Sequence, residues 1–135
     1  MDTALVTYLG DLRNEAVHLR SGQRLLTDAP PDNQGKGEAF SPTDLLCTSL
    51  ACCMMTIVGI AARDRGLPLV RLSARVVKHM ANDPRRVERI EVHLSMDAAG
   101  LDEKARTILE RSARTCPVAL SLRADLVQEV TFAYR

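Results

Sequence analysis

The chain has 135 residues, of which 46% are hydrophobic and 26% are charged. This is enough apolar material for one hydrophobic core, so we expect a single domain over residues 1–135. Its 18 Lys and Arg residues nearly balance its 17 Asp and Glu residues, and aromatic residues make up only 3%. This composition provides neither a basic surface nor a set of stacking aromatic side chains, so nucleic acid is not an expected partner.

The cysteines and the N-terminus together indicate a cellular compartment. Residues 1–3 show neither the basic nor the apolar segment of a signal peptide, so we expect none. Four cysteines in such a chain favour a reducing, cytoplasmic location in which thiols stay free or act in catalysis. Their positions, 47, 52, 53 and 116, contain no C-x-x-C motif, and zinc is therefore not expected.

Runs of alternating or apolar residues between turn signals predict the elements in chain order. Strands are predicted at residues 4–9, 14–19, 24–28, 70–79, 87–96 and 126–134. Helices are predicted from residue 42 to 63–65, at 103–113 and at 117–122. Residues 29–40 form a long loop with two prolines and two glycines, and a turn at 82–84 joins two strands into an antiparallel hairpin. The order β-β-β-α-β-β-α-α-β predicts an α+β fold.

Each predicted helix begins with a recognisable signal. Ser41 is a good N-cap, because Pro42 follows at the first helical position and Asp44 completes a capping box. Asp102 is the expected cap of the second helix, and Pro117 opens the third.

The first helix is unusually apolar, because residues 45–62 carry no charge. The segment is long enough to span a membrane, but its polar and small residues favour a helix buried inside a protein, and no membrane is expected as a partner. One small chain lacks the material to surround such a helix. We therefore predict a homodimer in which two of these helices pack together.

The cysteines differ in their local surroundings. Cys116 precedes Pro117 at a helix start, where free N–H groups, the helix dipole and the nearby Arg111 and Arg114 favour a thiolate. Cys53 lies in the middle of the apolar helix. The residues alone leave open whether these two thiols are reactive or are ordinary buried cysteines.

The three histidines and the two other cysteines are expected to have structural and not catalytic roles. Cys47 and Cys52 lie on other faces of the helix from Cys53 and are expected to act as small hydrophobic residues. The histidines lie on separate predicted strands and are expected as surface or core residues, not as ligands or bases; they are His18, His79 and His93.

A resemblance adds to this interpretation. The segment Ser41-Pro-Thr-Asp-Leu-Leu, followed by Leu50-Ala-Cys-Cys53 and later by Cys116-Pro117-Val118, resembles the OsmC/Ohr family of osmotically inducible and organic hydroperoxide resistance proteins, in its OsmC-like branch. The resemblance implies the OsmC-like fold, an intertwined homodimer with a long buried central helix and active sites at the subunit interface. It implies that Cys53, eleven residues after Pro42, is the peroxidatic cysteine and that Cys116 is the resolving one. No metal, flavin, haem or other cofactor is implied.

The resemblance also implies an arginine from the N-terminal strands, held by a carboxylate, that stabilises the reactive thiolate. Arg13 is the first candidate and Arg24 the second, and an ordinary solvated arginine is the alternative for each. A glutamate is usual directly after the helix-opening proline, but this chain has Thr43 there. Asp44 is the candidate to orient the arginine in its place.

The resemblance thus implies a thiol peroxidase that reduces organic hydroperoxides, and hydrogen peroxide as a further candidate substrate, with an external dithiol as reductant. The alternative is a non-enzymatic OsmC-like dimer that binds a small apolar ligand at its interface, and Thr43 favours this alternative. A general disulfide oxidoreductase is disfavoured because the two thiols lie far apart in sequence.

Overall fold

The computed structural model describes all 135 residues and has the predicted order of elements. The strands are β1 (Ala4–Gly10), β2 (Arg13–His18), β3 (Arg24–Asp28), β4 (Ser73–Ala81), β5 (Arg86–Met96) and β6 (Val127–Tyr134). The helices are α1 (Pro42–Asp64), α2 (Glu103–Arg114) and α3 (Pro117–Ser121), with a short 3-10 turn at Pro31–Asn33. This arrangement confirms the α+β fold class.

The strands form two separate three-stranded sheets. In the first, β1, β2 and β3 pair in order and antiparallel. In the second, β4 and β5 form the expected antiparallel hairpin, whereas β6 pairs with β5 in parallel. A parallel pair needs a long connection, which α2 and α3 provide. The chain forms two compact units, residues 1–46 and residues 47–135.

Strand β4 begins three residues later than predicted. Arg71 has a φ of +53°, a left-handed conformation that a strand cannot contain. The guanidinium of Arg71 donates to both carboxylate oxygens of Asp97, at 2.9 and 3.0 Å. The strand therefore starts at Ser73, after this bend.

The core of the second unit lies against one stripe of α1. The core contains fully buried side chains from this stripe, from β5 and from α2, including Leu50, Met54, Ile90, Leu94 and Leu109. By length and composition α1 is apolar enough to cross a membrane, with a hydropathy of 2.2 in its most apolar window, and 39% of that window is buried. Within one chain α1 is thus a core helix on one side, while Leu46 and Ile60 on other sides are about 40% exposed.

The helix caps are those predicted. Asp44 accepts a hydrogen bond from the Ser41 backbone N–H, and Ser41 Oγ accepts one from the Asp44 N–H, both at 3.0 Å. These two bonds are the capping box of α1. Asp102 Oδ1 accepts from the Ala105 N–H at 2.8 Å and caps α2.

Candidate active site

The fold brings Cys53 and Cys116 together from elements that are distant in sequence. Cys53 is half-buried in the middle of α1, and Cys116 is the fully buried N-cap residue of α3. Burial raises the pKa of the Cys116 thiol most, and the nearby Cys53 side chain raises it further as a hydrogen-bonding partner and as a charge. Both cysteines are free thiols in this structure. The two thiols therefore lie near each other, at the start of α3.

A backbone donor also faces Cys53. The N–H of Val118 donates to Cys53 Sγ at 3.5 Å. Val118 lies in the first turn of α3, where N–H groups have no acceptor inside the helix. The Cys53 sulfur therefore faces the start of α3.

The sequence does not reveal this donor, and the resemblance implies only a cation near Cys53. The Cys116-Pro117 helix start did carry a signal, because it predicts unpaired N–H groups just after the proline. It could not show which sulfur these groups would meet.

The expectation of a thiolate at Cys116 is wrong in its direction. Burial, the largest effect, raises the pKa of Cys116, and the backbone amide of Ala119 opposes it only in part. The guanidinium of Arg114 donates to the Val130 carbonyl at 3.3 Å and lies 5.4 Å from the centre of the Phe132 ring. Burial therefore favours the protonated form of Cys116.

The two remaining cysteines have different environments. Cys47 is 1% exposed and lies in the core, as expected for a small hydrophobic residue. Cys52 is exposed in the single chain, so the expectation that it fills a core is wrong within one chain. Its carbonyl accepts a hydrogen bond from the Thr56 hydroxyl at 2.9 Å. An exposed thiol beside Cys53 makes Cys52 the residue to remove before any labelling of Cys53.

Arg13 lies on β2 in the first unit, where two carboxylates hold it. Its Nη2 is 2.5 Å from Glu38 Oε2 and 3.6 Å from Asp28 Oδ2. The hydrogen bond to Glu38, followed by the charges of Glu38 and Asp28, raises the pKa of Arg13. Arg24, the second candidate, pairs with Glu15 at 2.6 Å.

Asp44 and Arg13 do not meet within one chain. Asp44 forms the capping box with Ser41, and the carboxylates in contact with Arg13 are Glu38 and Asp28. Thr43, in the position of the usual glutamate, has its hydroxyl 3.2 Å from that of Ser41. The structure thus gives Arg13 carboxylate partners that sequence reasoning did not consider.

Two of the histidines form a network that their sequence positions do not reveal. His79 Nε2 is hydrogen-bonded to Glu91 Oε2, and His93 Nε2 lies 3.0 Å from Glu91 Oε1. The antiparallel register of β4 and β5 brings His79 beside Glu91, whereas His93 lies two residues beyond Glu91 on β5 and therefore on the same face. The hydrogen bonds to the two histidines are the largest effects on Glu91 and lower its pKa.

These features define an α+β protein with a pair of thiols between its long helix and the start of a short one. A sequence model described as OsmC-like protein matches residues 35–131, and the chain belongs to this family. The comparison with curated proteins gives no match.

Solved structures with the same fold cover nearly the whole chain. A Psychrobacter arcticus 273-4 protein, described as an osmotic stress induced and detoxification response protein, is 52% identical, with a TM-score of 0.93. The match covers 98% of this chain and 96% of that protein. An organic hydroperoxide resistance protein from Elizabethkingia anophelis is 14% identical, with a TM-score of 0.78 and coverage of 100% and 98%. An organic hydroperoxide resistance protein OsmC from Legionella pneumophila is 16% identical, with a TM-score of 0.73, and the match covers 99% of this chain and 97% of that protein. At these last two identities the likeness concerns the fold.

Proposed function

We propose that this protein is a cysteine-based peroxidase that reduces organic hydroperoxides, and hydrogen peroxide as a second substrate, at the expense of an external dithiol. The observation that carries the proposal is the hydrogen bond from the Val118 N–H to the Cys53 sulfur, at the start of the helix whose N-cap is Cys116. Membership in the OsmC-like family, in which structural relatives are named organic hydroperoxide resistance proteins, supports the same activity.

In the first step the thiolate of Cys53 attacks the distal oxygen of the hydroperoxide. An S–O bond forms, the O–O bond breaks, and the departing alkoxide takes a proton and leaves as an alcohol. Cys53 becomes a sulfenic acid. Cys53 is half-buried while Cys116 is 0% exposed, which supports Cys53 as the thiol that meets the substrate first.

In the second step the Cys116 sulfur attacks the sulfur of the Cys53 sulfenic acid. The S–S bond forms, the S–O bond breaks, and the hydroxide leaves as water with the proton that Cys116 gives up. Because burial raises the pKa of Cys116, this thiol still holds that proton when the sulfenic acid forms. An external dithiol then reduces the disulfide by thiol–disulfide exchange and becomes a disulfide itself.

The proposal includes a homodimer. Strand β1 exposes large apolar side chains at consecutive positions and therefore on both faces, with Leu5, Val6, Tyr8 and Leu9 each more than half exposed. An apolar surface of this kind on a single chain is typical of a protein interface. A second copy of the chain is the proposed occupant, with Arg13 stabilising the Cys53 thiolate in the assembled protein.

We place the protein in the cytoplasm as part of the same proposal. A cycle that ends with reduction of a disulfide needs a supply of dithiol reductant, and reducing compartments hold such a supply. The four free cysteines are consistent with this placement.

The test is peroxide consumption by the purified protein with an organic hydroperoxide or hydrogen peroxide and a dithiol. Cys53→Ser is expected to abolish turnover, because it removes the nucleophile. Cys116→Ser is expected to complete one turnover and then stop at the sulfenic acid or oxidise further, which mass spectrometry detects. Cys52→Ser is the matched control and should turn over as the wild type does.

Two outcomes would contradict the proposal. Turnover that survives Cys53→Ser would show that the peroxide reacts elsewhere. A wild-type protein that consumes no peroxide would instead favour the dimer that binds a small apolar ligand.

A further inference from the structure

The loop between β3 and α1 is tightly built around Arg13. Its backbone is fixed by hydrogen bonds from the Gly37 N–H to the Ala29 carbonyl at 3.1 Å and from the Asp28 N–H to the Phe40 carbonyl at 3.1 Å. A Cβ added to Gly35 would lie 1.8 Å from the Ala29 carbonyl oxygen, so only glycine fits this close approach. The loop is thus a preorganised support and not a loose connection.

This support brings two carboxylates to one nitrogen of the arginine. Glu38 Oε2 and Asp28 Oδ2 both face Nη2 of Arg13, and the same Asp28 oxygen accepts from the Glu38 N–H at 3.0 Å. Nε and Nη1 of Arg13 have no hydrogen-bond partner within the chain, so two sides of the guanidinium remain free to act on another group.

Asp28 is the buried anchor of the cluster. It is 1% exposed, and its Oδ1 has no hydrogen-bond partner. A buried carboxylate with an unpaired oxygen is costly unless a cation is close, and Arg13 is that cation. Arg13 and Asp28 therefore hold each other in place.

We infer that Asp28 and Glu38 are the positioning residues of Arg13, and that they replace the carboxylate missing at Thr43. The inference rests on the proposed function, in which Arg13 stabilises the thiolate of Cys53. It assigns Asp44 to capping α1 and not to orienting the arginine.

The test measures how fast iodoacetamide alkylates Cys53 between pH 5 and pH 10, in a protein that carries Cys52→Ser and Cys116→Ser. Glu38→Gln keeps the shape of a side chain that is 59% exposed, so the fold is retained. We expect it to lower the alkylation rate at pH 7 about two- to fivefold and to move the profile to higher pH, as loss of an exposed ion pair implies. Glu38→Asp should restore part of the rate.

Glu15→Gln is the matched control, because Glu15 pairs with Arg24 at 2.6 Å on the same sheet. Its profile should overlay that of the parent protein. A Glu38→Gln profile that also overlays the parent would overturn the inference, as would a shift produced by Asp44→Asn and not by Glu38→Gln. Because alkylation needs no peroxide, this readout separates failure of the inference from failure of the peroxidase activity.

Discussion

Closing the Cys53–Cys116 disulfide is expected to stabilise the protein by a calculable amount. The bond would close a loop of about 64 residues. Removal of the loop-closure entropy from the unfolded chain gives about 4 kcal/mol for a loop of this length, before any strain in the folded state. For a domain of this size that corresponds to a rise in Tm of roughly 10–20 °C.

The assay compares protein oxidised with one equivalent of hydroperoxide and protein kept in excess dithiol. Urea unfolding and thermal scans at a fixed protein concentration measure the difference, and peptide mapping identifies the bond. Cys116→Ser treated in the same way is the control and should show no increase.

Two results would refute the reasoning behind this value. A mapped Cys53–Cys116 bond with a gain below about 1 kcal/mol would mean that bringing the sulfurs into bonding distance strains the fold by most of the entropic gain. A bond between Cys116 and Cys52 would mean that Cys53 is not the partner of the buried thiol.

Two further predictions concern folding stability. Hydrogen bonds to His79 and His93 lower the pKa of Glu91 below its ordinary value of 4.5. The ionised Glu91 carboxylate therefore stabilises the folded protein fully above pH 4.5, and this stabilisation is lost as the pH falls through the lowered pKa. Glu91→Gln should therefore flatten the pH dependence of urea unfolding below pH 4.5, and an unchanged slope would contradict this. Asp102→Ala removes the bond to the Ala105 N–H and should lower the free energy of unfolding by about 1 kcal/mol, whereas Asp102→Asn should retain most of it in the same assay.

The elements that sequence analysis located most accurately are those bounded by local signals. The predicted strand at 24–28 and the predicted helix from 42 to 63–65 are bounded by turn residues, a cap and a proline, and the structure has β3 at Arg24–Asp28 and α1 at Pro42–Asp64. The predicted start of β4 is three residues too early because the left-handed backbone of Arg71 cannot be recognised in a run of residues that otherwise looks like a strand. The parallel pairing of β6 with β5 was not predicted, since alternation along a strand carries no information about its neighbour.

The candidate site divides in the same way. The Cys116-Pro117 dipeptide predicted a helix start, and the structure has Cys116 as the N-cap of α3. The sign of the pKa shift at Cys116 was wrong because it depends on burial, and no residue near Cys116 in sequence reports how deeply the fold encloses it. The carboxylates around Arg13 were missed for a related reason, since Glu38 reaches it across 25 residues.

By itself the amino-acid sequence determined the order of strands and helices, the caps of α1 and α2, and the two cysteines worth examining. Backbone conformation and capping depend on residues only a few positions apart, which is why these features can be read locally. Only the tertiary structure decided that the Val118 N–H meets Cys53, that Cys116 is held as a buried thiol, and that Asp28 and Glu38 hold Arg13. Each of these depends on distances between segments far apart in the chain, which are set by how the core packs and not by any local pattern.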